Sequence, residues 1–293
     1  MAFQLDMPLV LDGGLSNQLA AAGHDLSDRL WSARLLRDDP AAVVAAHRAY
    51  YEAGADVGTT ASYQASFEGF GSEASTLLRE SVRLARQASF QADVDDRRLW
   101  VAASVGPYGA VLADGSEYRG RYGLTVRELV DFHRPRIEAL ASASPDVLAF
   151  ETIPDLDEAE ALVTIIAGTG IPAWLSFSIR GSSTCAGQPL AEAFALVRDV
   201  PEILAVGVNC CDPFDATAAV PLAAAVSGKP VVVYPNSGEA WDPVARAWDG
   251  RRTFAPATDP SPVTTWLSDG ARLIGGCCRI TPTDITAIAT HLP

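Results

Sequence analysis

The sequence predicts an α/β protein built as one (β/α)8 barrel of the TIM type, with its active site at the C-terminal ends of the strands. Two observations carry this expectation. Short apolar runs of strand character alternate with longer amphipathic runs along all 293 residues, giving eight βα units. Most of the short runs are almost continuously apolar, as parallel strands covered on both faces require. The rival architecture is an open doubly wound sheet. Its dinucleotide-binding version is weakened because no Gly-x-Gly-x-x-Gly turn follows the first strand. No break in composition marks a second domain, so residues 1–293 are read as one unit.

The expected strands are Leu9–Gly14, Ala55–Tyr63, Leu99–Gly106, Asp146–Ile153, Pro172–Ile179, Ile203–Cys210, Pro230–Gly238 and Ala271–Cys278. Helix ends are legible between them. DDPAAVVAAHRAYYEAG offers Asp39 as N-cap, Pro40 at the first helical position and Gly54 just past the end. SPVTTWL and TPTDITAIATHL begin the same way, at Ser261–Pro262 and Thr281–Pro282. Two connections are long: Pro107–Thr125 after the third strand and Glu239–Pro260 after the seventh. Both fall on the βα side, where barrel sites are built, and the first reads as a lid or binding loop.

Composition narrows the function. Apolar content of 48% supports a buried core, and a formal net charge of −14 argues against nucleic acid and against an anionic membrane surface. The N-terminus lacks a basic segment followed by an apolar run, and no stretch of about 18 apolar residues occurs. The expected setting is therefore cytoplasmic, where clustered cysteines signal metal binding or catalysis rather than disulfides.

Polar residues gather at the strand ends: Asp12, Thr59, Thr60, Ser62, Glu151, Asn209, Cys210, Asn236, Ser237, Glu239, Cys277 and Cys278. A barrel brings these positions to one mouth. Cys210, Cys277 and Cys278 are then candidates for one zinc site, three thiolates leaving a fourth tetrahedral position open. Iron–sulfur chemistry normally wants four cysteines, and Cys185 is the fourth only if its loop reaches the site. Cys211 adjoins Cys210 and is the alternative ligand; Cys210 is preferred because it ends the apolar run. Neighbouring strand residues face opposite ways, so Cys277 and Cys278 share a metal only if the strand ends or kinks there. Gly275 and Gly276 are expected to supply that freedom. His24, His47, His133 and His291 lie in helical or loop segments and read as structural.

GVNC and GGCCR, with LDGG at the start, resemble the zinc-dependent homocysteine S-methyltransferases. TASYQAS, SVGPYGAVLADGSEYRG, FHRPRIEAL, ETIP and VVYPNSGE extend the likeness from the first strand to the last helix. Together they look like the branch that uses S-methylmethionine, with S-adenosylmethionine as an alternative donor. The resemblance implies a homocysteine-binding barrel with one Zn2+ per chain on Cys210, Cys277 and Cys278. It also implies that Asp12 and Glu151 hold the amino group of homocysteine, and that backbone amides around Gly13 and Gly14 help hold its carboxylate. Thr60, Asn209 and Asn236 complete the candidate substrate-binding set, Asn236 and Ser237 being equally readable as turn formers. Betaine-using relatives carry a Tyr after the corresponding Glu, whereas Thr152 follows Glu151 here, which speaks against betaine.

The implied partners are homocysteine and a sulfonium donor. Displacement at the methyl carbon releases a neutral thioether, so no general acid is required, in keeping with the absence of a demanded histidine. Aromatic faces attract sulfonium cations, and Tyr108, Tyr118, Tyr122 and Tyr234 are available without one being singled out. Arg279 either meets a substrate carboxylate or braces the cysteine loop. Two other readings remain: the homocysteine half-reaction of a cobalamin enzyme, which needs modules this length cannot include, and a thiolate protein that stores zinc or senses redox state. The second has no use for Asp12 or Glu151.

Overall fold

The computed structural model describes residues 3–27, 30–94, 96–242 and 247–293. Eight parallel strands form one sheet: β1 (Leu9–Val10), β2 (Val57–Thr59), β3 (Trp100–Val105), β4 (Val147–Ile153), β5 (Ala173–Phe177), β6 (Ile203–Asn209), β7 (Val231–Tyr234) and β8 (Ala271–Ile274). They are ordered as in the chain, and β1 pairs with β8 in the register Leu9 to Leu273 and Val10 to Ile274. A parallel bridge from Leu11 to Val57 joins the two ends of the sheet, so the ring closes. Each strand is followed by a helix on the outer face: α1 (Pro40–Glu52), α2 (Ala74–Gln91), α3 (Val126–Ser142), α4 (Leu156–Ile166), α5 (Leu190–Ala195), α6 (Pro213–Ser227), α7 (Ser261–Ser268) and α8 (Pro282–Ala289). The expected (β/α)8 barrel is therefore the observed one.

Local chemistry sets the helix starts. The Asp39 side chain accepts from Ala42 N at 3.1 Å ahead of Pro40, and Gly54 follows α1 at φ +115°. Thr125 with Glu128, and Thr281 with Asp284, form reciprocal capping boxes for α3 and α8. Helix α7 begins at Ser261, the residue expected to cap it, so its N-cap falls one residue earlier, on Pro260. None of the described helices is long and apolar enough to cross a membrane.

Alternation along the strands divides the core in two. One set of side chains, including Val101, Leu148, Phe150, Leu175, Val206, Val208 and Val233, packs outward against the helices. The other set fills the barrel: Leu11, Val57, Trp100, Ala102, Ala149, Trp174, Ala205 and Val232 are all buried there. Large Trp rings share the interior with small Ala side chains, a mix of sizes usual in an eight-stranded barrel.

The expected strands overran their ladders on the C-terminal side. Thr60–Gln64, Asn236 onward and Gly275–Arg279 form turns and loops that make up the mouth. Two hairpins were not expected: Ile179–Arg180 pairs with Ser183–Thr184, and Ala240–Asp242 pairs with Ala247–Asp249. The second interrupts the long Glu239–Pro260 connection, whose residues 243–246 lie outside the described residues.

Candidate active site

The C-terminal mouth is floored by a polar layer that the same alternation aims inward. Ser104 of β3, Glu151 of β4, Ser176 of β5, Asn209 of β6 and Tyr234 of β7 are all buried. They form one network. Ser104 Oγ donates to Glu151 Oε1, and Tyr234 Oη donates to Glu151 Oε2 at 3.1 Å. Trp174 Nε1 donates to Tyr234 Oη at 3.1 Å, and Ser176 Oγ bridges Tyr234 Oη (2.7 Å) and Asn209 Oδ1 (2.8 Å). Burial pushes the Glu151 carboxyl up to about 7, against the opposing pull of the Ser104 and Tyr234 hydroxyls.

Asn209 has a further task. Its Oδ1 accepts from Thr152 N at 2.7 Å and its Nδ2 donates to Thr152 Oγ1 at 2.7 Å. Thr152 sits at φ +61°, where the β4–β5 register shifts between Phe150 and Ile153. A β-branched residue rarely tolerates that conformation. The bulge keeps Glu151 inward while Ile153 returns to the outer core.

Asp12 follows β1 and accepts from Thr59 N at 2.7 Å. Burial first, then the charge of Glu151, raise its carboxyl to about 8. Thr60 is also buried, with its hydroxyl 2.7 Å from Ser62 Oγ and accepting from Ser104 N at 3.0 Å. Gly13 and Gly14 press against the cysteine loop: a side chain at Gly13 would strike the Ile280 carbonyl, and Gly14 N donates to that carbonyl at 3.0 Å.

Cys210, Cys277 and Cys278 come together, their sulfurs all within 4.8 Å of one another. Cys210 and Cys277 are joined as a disulfide, Cα to Cα 5.5 Å. Disulfides were not expected, but a thiolate cup brings its sulfurs so near that oxidation can join two of them. Cys210 lies at φ +48°, which turns it to the mouth while Cys211 packs into the outer core. The expected break after β8 is present: the strand ends at Ile274 and a turn follows, closed by Ile280 N to Cys277 O at 3.2 Å. Its positive φ falls on Arg279 (+64°), not on the two glycines. Gly275 and Gly276 serve space instead, because a Cβ on Gly275 would sit 2.6 Å from Leu11 Cβ and one on Gly276 would overlap Ile280. Asn236 Oδ1 accepts from Cys278 N at 3.1 Å, and Arg279 Nε donates to Glu239 Oε2 at 2.7 Å, so both residues brace this loop. Ser237 Oγ completes the brace by donating to Glu239 at 2.8 Å.

Burial, then the charges of Glu117 and Glu151, push the Cys278 thiol up to about 12. An acidic, sulfur-lined cup of this kind holds thiolates only beside a cation. Zinc–sulfur bonds of about 2.3 Å arranged tetrahedrally place sulfurs about 3.8 Å apart, and the three sulfurs here lie within 4.8 Å of one another. The residues present therefore suit a soft metal with one open position. Cys185, half-buried, is not one of the three sulfurs.

Of the tyrosines, Tyr234 belongs to the buried network, and Tyr108 packs on Tyr122 (5.2 Å between centroids) and Phe132 (4.9 Å). Tyr118 ends the short helical turn Ser116–Tyr118, and Tyr63, which had not been singled out, has its ring against Gly106, where a Cβ would strike it. Ser104, Ser176 and Glu117 also went unnoticed; inward alternation would have exposed the two serines. His133 and His47 are buried away from the mouth, His133 Nε2 lying 2.8 Å from Glu158 Oε1. Arg136, fully buried, donates to the carbonyls of Tyr63, Ala65 and Gly106 and so fixes the turns behind the mouth.

Comparison with known proteins places the chain in a family. The family model for homocysteine S-methyltransferase matches residues 9–292. Homocysteine S-methyltransferase of Escherichia coli is 44% identical over 96% of this chain and 94% of that protein. Crystal structures of the E. coli homocysteine methyltransferase MmuM superpose with a TM-score of 0.86 for the oxidised form, covering 97% of this chain and 95% of that one at 41% identity. The metallated form gives 0.85, covering 97% and 96%, also at 41% identity. The chain belongs to the homocysteine S-methyltransferase family.

Proposed function

We propose that this protein transfers a methyl group from a sulfonium donor, S-methylmethionine or S-adenosylmethionine, to the thiol of homocysteine, giving methionine. The observation that carries the reading is the joint presence, at one mouth, of three cysteine sulfurs and two buried carboxylates, Asp12 and Glu151. The thiols serve one Zn2+ per chain and the carboxylates the amino group of the acceptor.

Cys210, Cys277 and Cys278 would hold the zinc as thiolates. When bound, zinc supplies a Lewis acid that lowers the pKa of a thiol at its open position. Asp12 and Glu151 fix the ammonium end of homocysteine, so the sulfur end is directed to the cysteines. The raised pKa of each acid makes this selective: a cation recovers the charged form that burial disfavours. Thr60 and Asn209 act behind them, Thr60 through Ser104 and Asn209 through the Thr152 bulge. Asn236 holds Cys278 through its amide, and the Gly13–Gly14 turn shapes the space for the substrate carboxylate. The homocysteine thiol gives up its proton to solvent as it binds, and in the transfer a lone pair of the resulting thiolate forms the new S–CH3 bond while the donor S–CH3 bond breaks, its electron pair leaving on a neutral thioether. No side chain has to deliver a proton. Charge disperses in the process, and the buried floor keeps water out.

The setting this reading calls for is the cytoplasm, where the three thiols stay reduced and free to hold the metal. The test is methionine formation by reduced, zinc-loaded protein offered S-methylmethionine, S-adenosylmethionine or betaine. Activity with either sulfonium and none with betaine is expected; no methylation of homocysteine by any donor refutes the function.

A further inference from the structure

The floor of the mouth has one proton fewer than its contacts require unless Glu151 supplies it. Three oxygen–oxygen contacts run in series across the strands: Glu151 Oε2 to Tyr234 Oη at 3.1 Å, Tyr234 Oη to Ser176 Oγ at 2.7 Å, and Ser176 Oγ to Asn209 Oδ1 at 2.8 Å. Each is a hydrogen bond only if it contains a proton. The far end is fixed as an acceptor, because Asn209 Oδ1 takes the Thr152 N–H at 2.7 Å and Asn209 Nδ2 is turned to Thr152 Oγ1. Trp174 Nε1 only donates, so at Tyr234 Oη it occupies a lone pair and brings no proton to the series. Tyr234 and Ser176 carry one hydroxyl proton each. Three contacts and two protons leave one to come from the carboxyl.

The direction of the series follows the state of Glu151. With the carboxyl protonated, its O–H points to Tyr234, Tyr234 points to Ser176 and Ser176 to Asn209, and all three contacts are bonds. With it ionised, Tyr234 turns to Glu151 and Ser176 to Tyr234, and Ser176 Oγ faces Asn209 Oδ1 with no proton between them. Ser104 serves the other carboxyl oxygen and leaves the count unchanged. Charge acts in the same sense: Asp12 after β1, Tyr63 after β2, Tyr234 of β7 and Cys278 after β8 are the titratable groups coupled to Glu151, all of them acids. Its hydrogen-bond partners among the described residues are hydroxyls, not cations. We propose that Ser176 and Tyr234 are positioning residues that hold Glu151 as a neutral acid in the empty site, so that an amino-acid ammonium binds by expelling its proton. The Glu151 O–H bond breaks, the proton goes to solvent, the electron pair stays on Oε2 as the charge that meets the ammonium, and the Tyr234 hydroxyl swings to the same oxygen. The floor thus becomes charged only for a ligand that brings a cation. The inference rests on the reading of Glu151 as a holder of the homocysteine amino group.

The experiment is calorimetric titration of reduced, zinc-loaded wild type, Ser176→Ala and Tyr234→Phe with methionine, the product, whose thioether has no proton to lose. Repeating it in buffers of different protonation enthalpy gives the protons released per ligand bound. Wild type at about pH 6 should release about one proton or more, since burial holds Glu151 at about 7. In Ser176→Ala a neutral Glu151 leaves the Tyr234 hydroxyl without an acceptor, so ionisation becomes easier by about one hydrogen bond, about tenfold. Proton release at about pH 6 should then fall by roughly 0.4, and methionine should bind about fivefold tighter than to wild type. Tyr234→Phe removes the donor to the ionised oxygen and acts the opposite way, weakening methionine about tenfold or more at about pH 7.5. A merely structural loss weakens binding in both variants, and Ser176→Ala decides alone where Tyr234→Phe fails to fold. Binding to wild type with no proton released, a Ser176→Ala without effect, or weakened binding in both variants overturns the inference while leaving the reaction intact. If wild type binds neither methionine nor homocysteine, the reading of the acceptor site itself fails.

Discussion

Asn209→Ala is the sharpest test of how the site is held. The substitution removes three hydrogen bonds at a fully buried position: Oδ1 from Thr152 N, Oδ1 from Ser176 Oγ, and Nδ2 to Thr152 Oγ1. Ser176 retains Tyr234 Oη at 2.7 Å, so its loss is small. The Thr152 N–H keeps no described partner, at about 1–3 kcal/mol for a buried orphaned donor. The lost hydroxyl contact and the small void add about 1–2 kcal/mol. The expected total is about 2–5 kcal/mol, read as a lower urea midpoint at unchanged slope. Thr152→Gly in the Asn209→Ala background should return about 1 kcal/mol, because glycine accepts φ +61° without strain. Methionine formation should show a raised homocysteine KM as Glu151 loses its fixed position. A destabilisation below about 1 kcal/mol, or no recovery in the double variant, would refute the account of Asn209 as the clamp on the bulge.

Three further outcomes follow from the same geometry. Cys277→Ala should abolish zinc retention in metal analysis, whereas Cys211→Ala, which alters only the outer core, should keep about one zinc per chain. Gly276→Ala should cost about 1–3 kcal/mol by overlap with Ile280 and weaken zinc binding with it, measured by denaturation and by chelator competition. The pH dependence has a definite sign. Glu151 is raised from 4.5 to about 7 on folding, so the native state binds the extra proton and that contribution is lost as pH rises through about 7. Reduced, metal-free wild type should therefore lose stability relative to Glu151→Gln between about pH 4.5 and pH 7; a wild-type stability that, relative to the variant, stays flat or rises over that range contradicts the burial of this carboxyl.

Much of this was readable in the chain. The eight apolar runs located every barrel strand, and their polar terminal residues located the mouth. The three cysteine positions followed from strand ends alone. Strand length was not readable, because Thr60, Asn236 and Cys277 continue an apolar or β-type pattern after the ladder has stopped. The kink at the paired cysteines was foreseen, but its mechanism was not: space at Gly275 and Gly276 depends on Leu11 and Ile280, which only the closed ring brings near. Ser104 and Ser176 look like ordinary small residues in a strand until alternation around a barrel turns them to one carboxylate. The left-handed Thr152 has no sequence signal at all, since its brace lies 57 residues away.

The pairing of Leu9 with Leu273 has a consequence for the order in which the protein becomes functional. Asp12 is synthesised more than 260 residues before Cys277 and Cys278, yet they border one cup. A nascent chain that has already released six strands carries Cys210 and nothing for it to share. Metal capture therefore reports the last event of assembly, the arrival of β8 beside β1, and a ribosome-bound chain truncated before Ala271 should be unable to compete for zinc however well its earlier strands have folded.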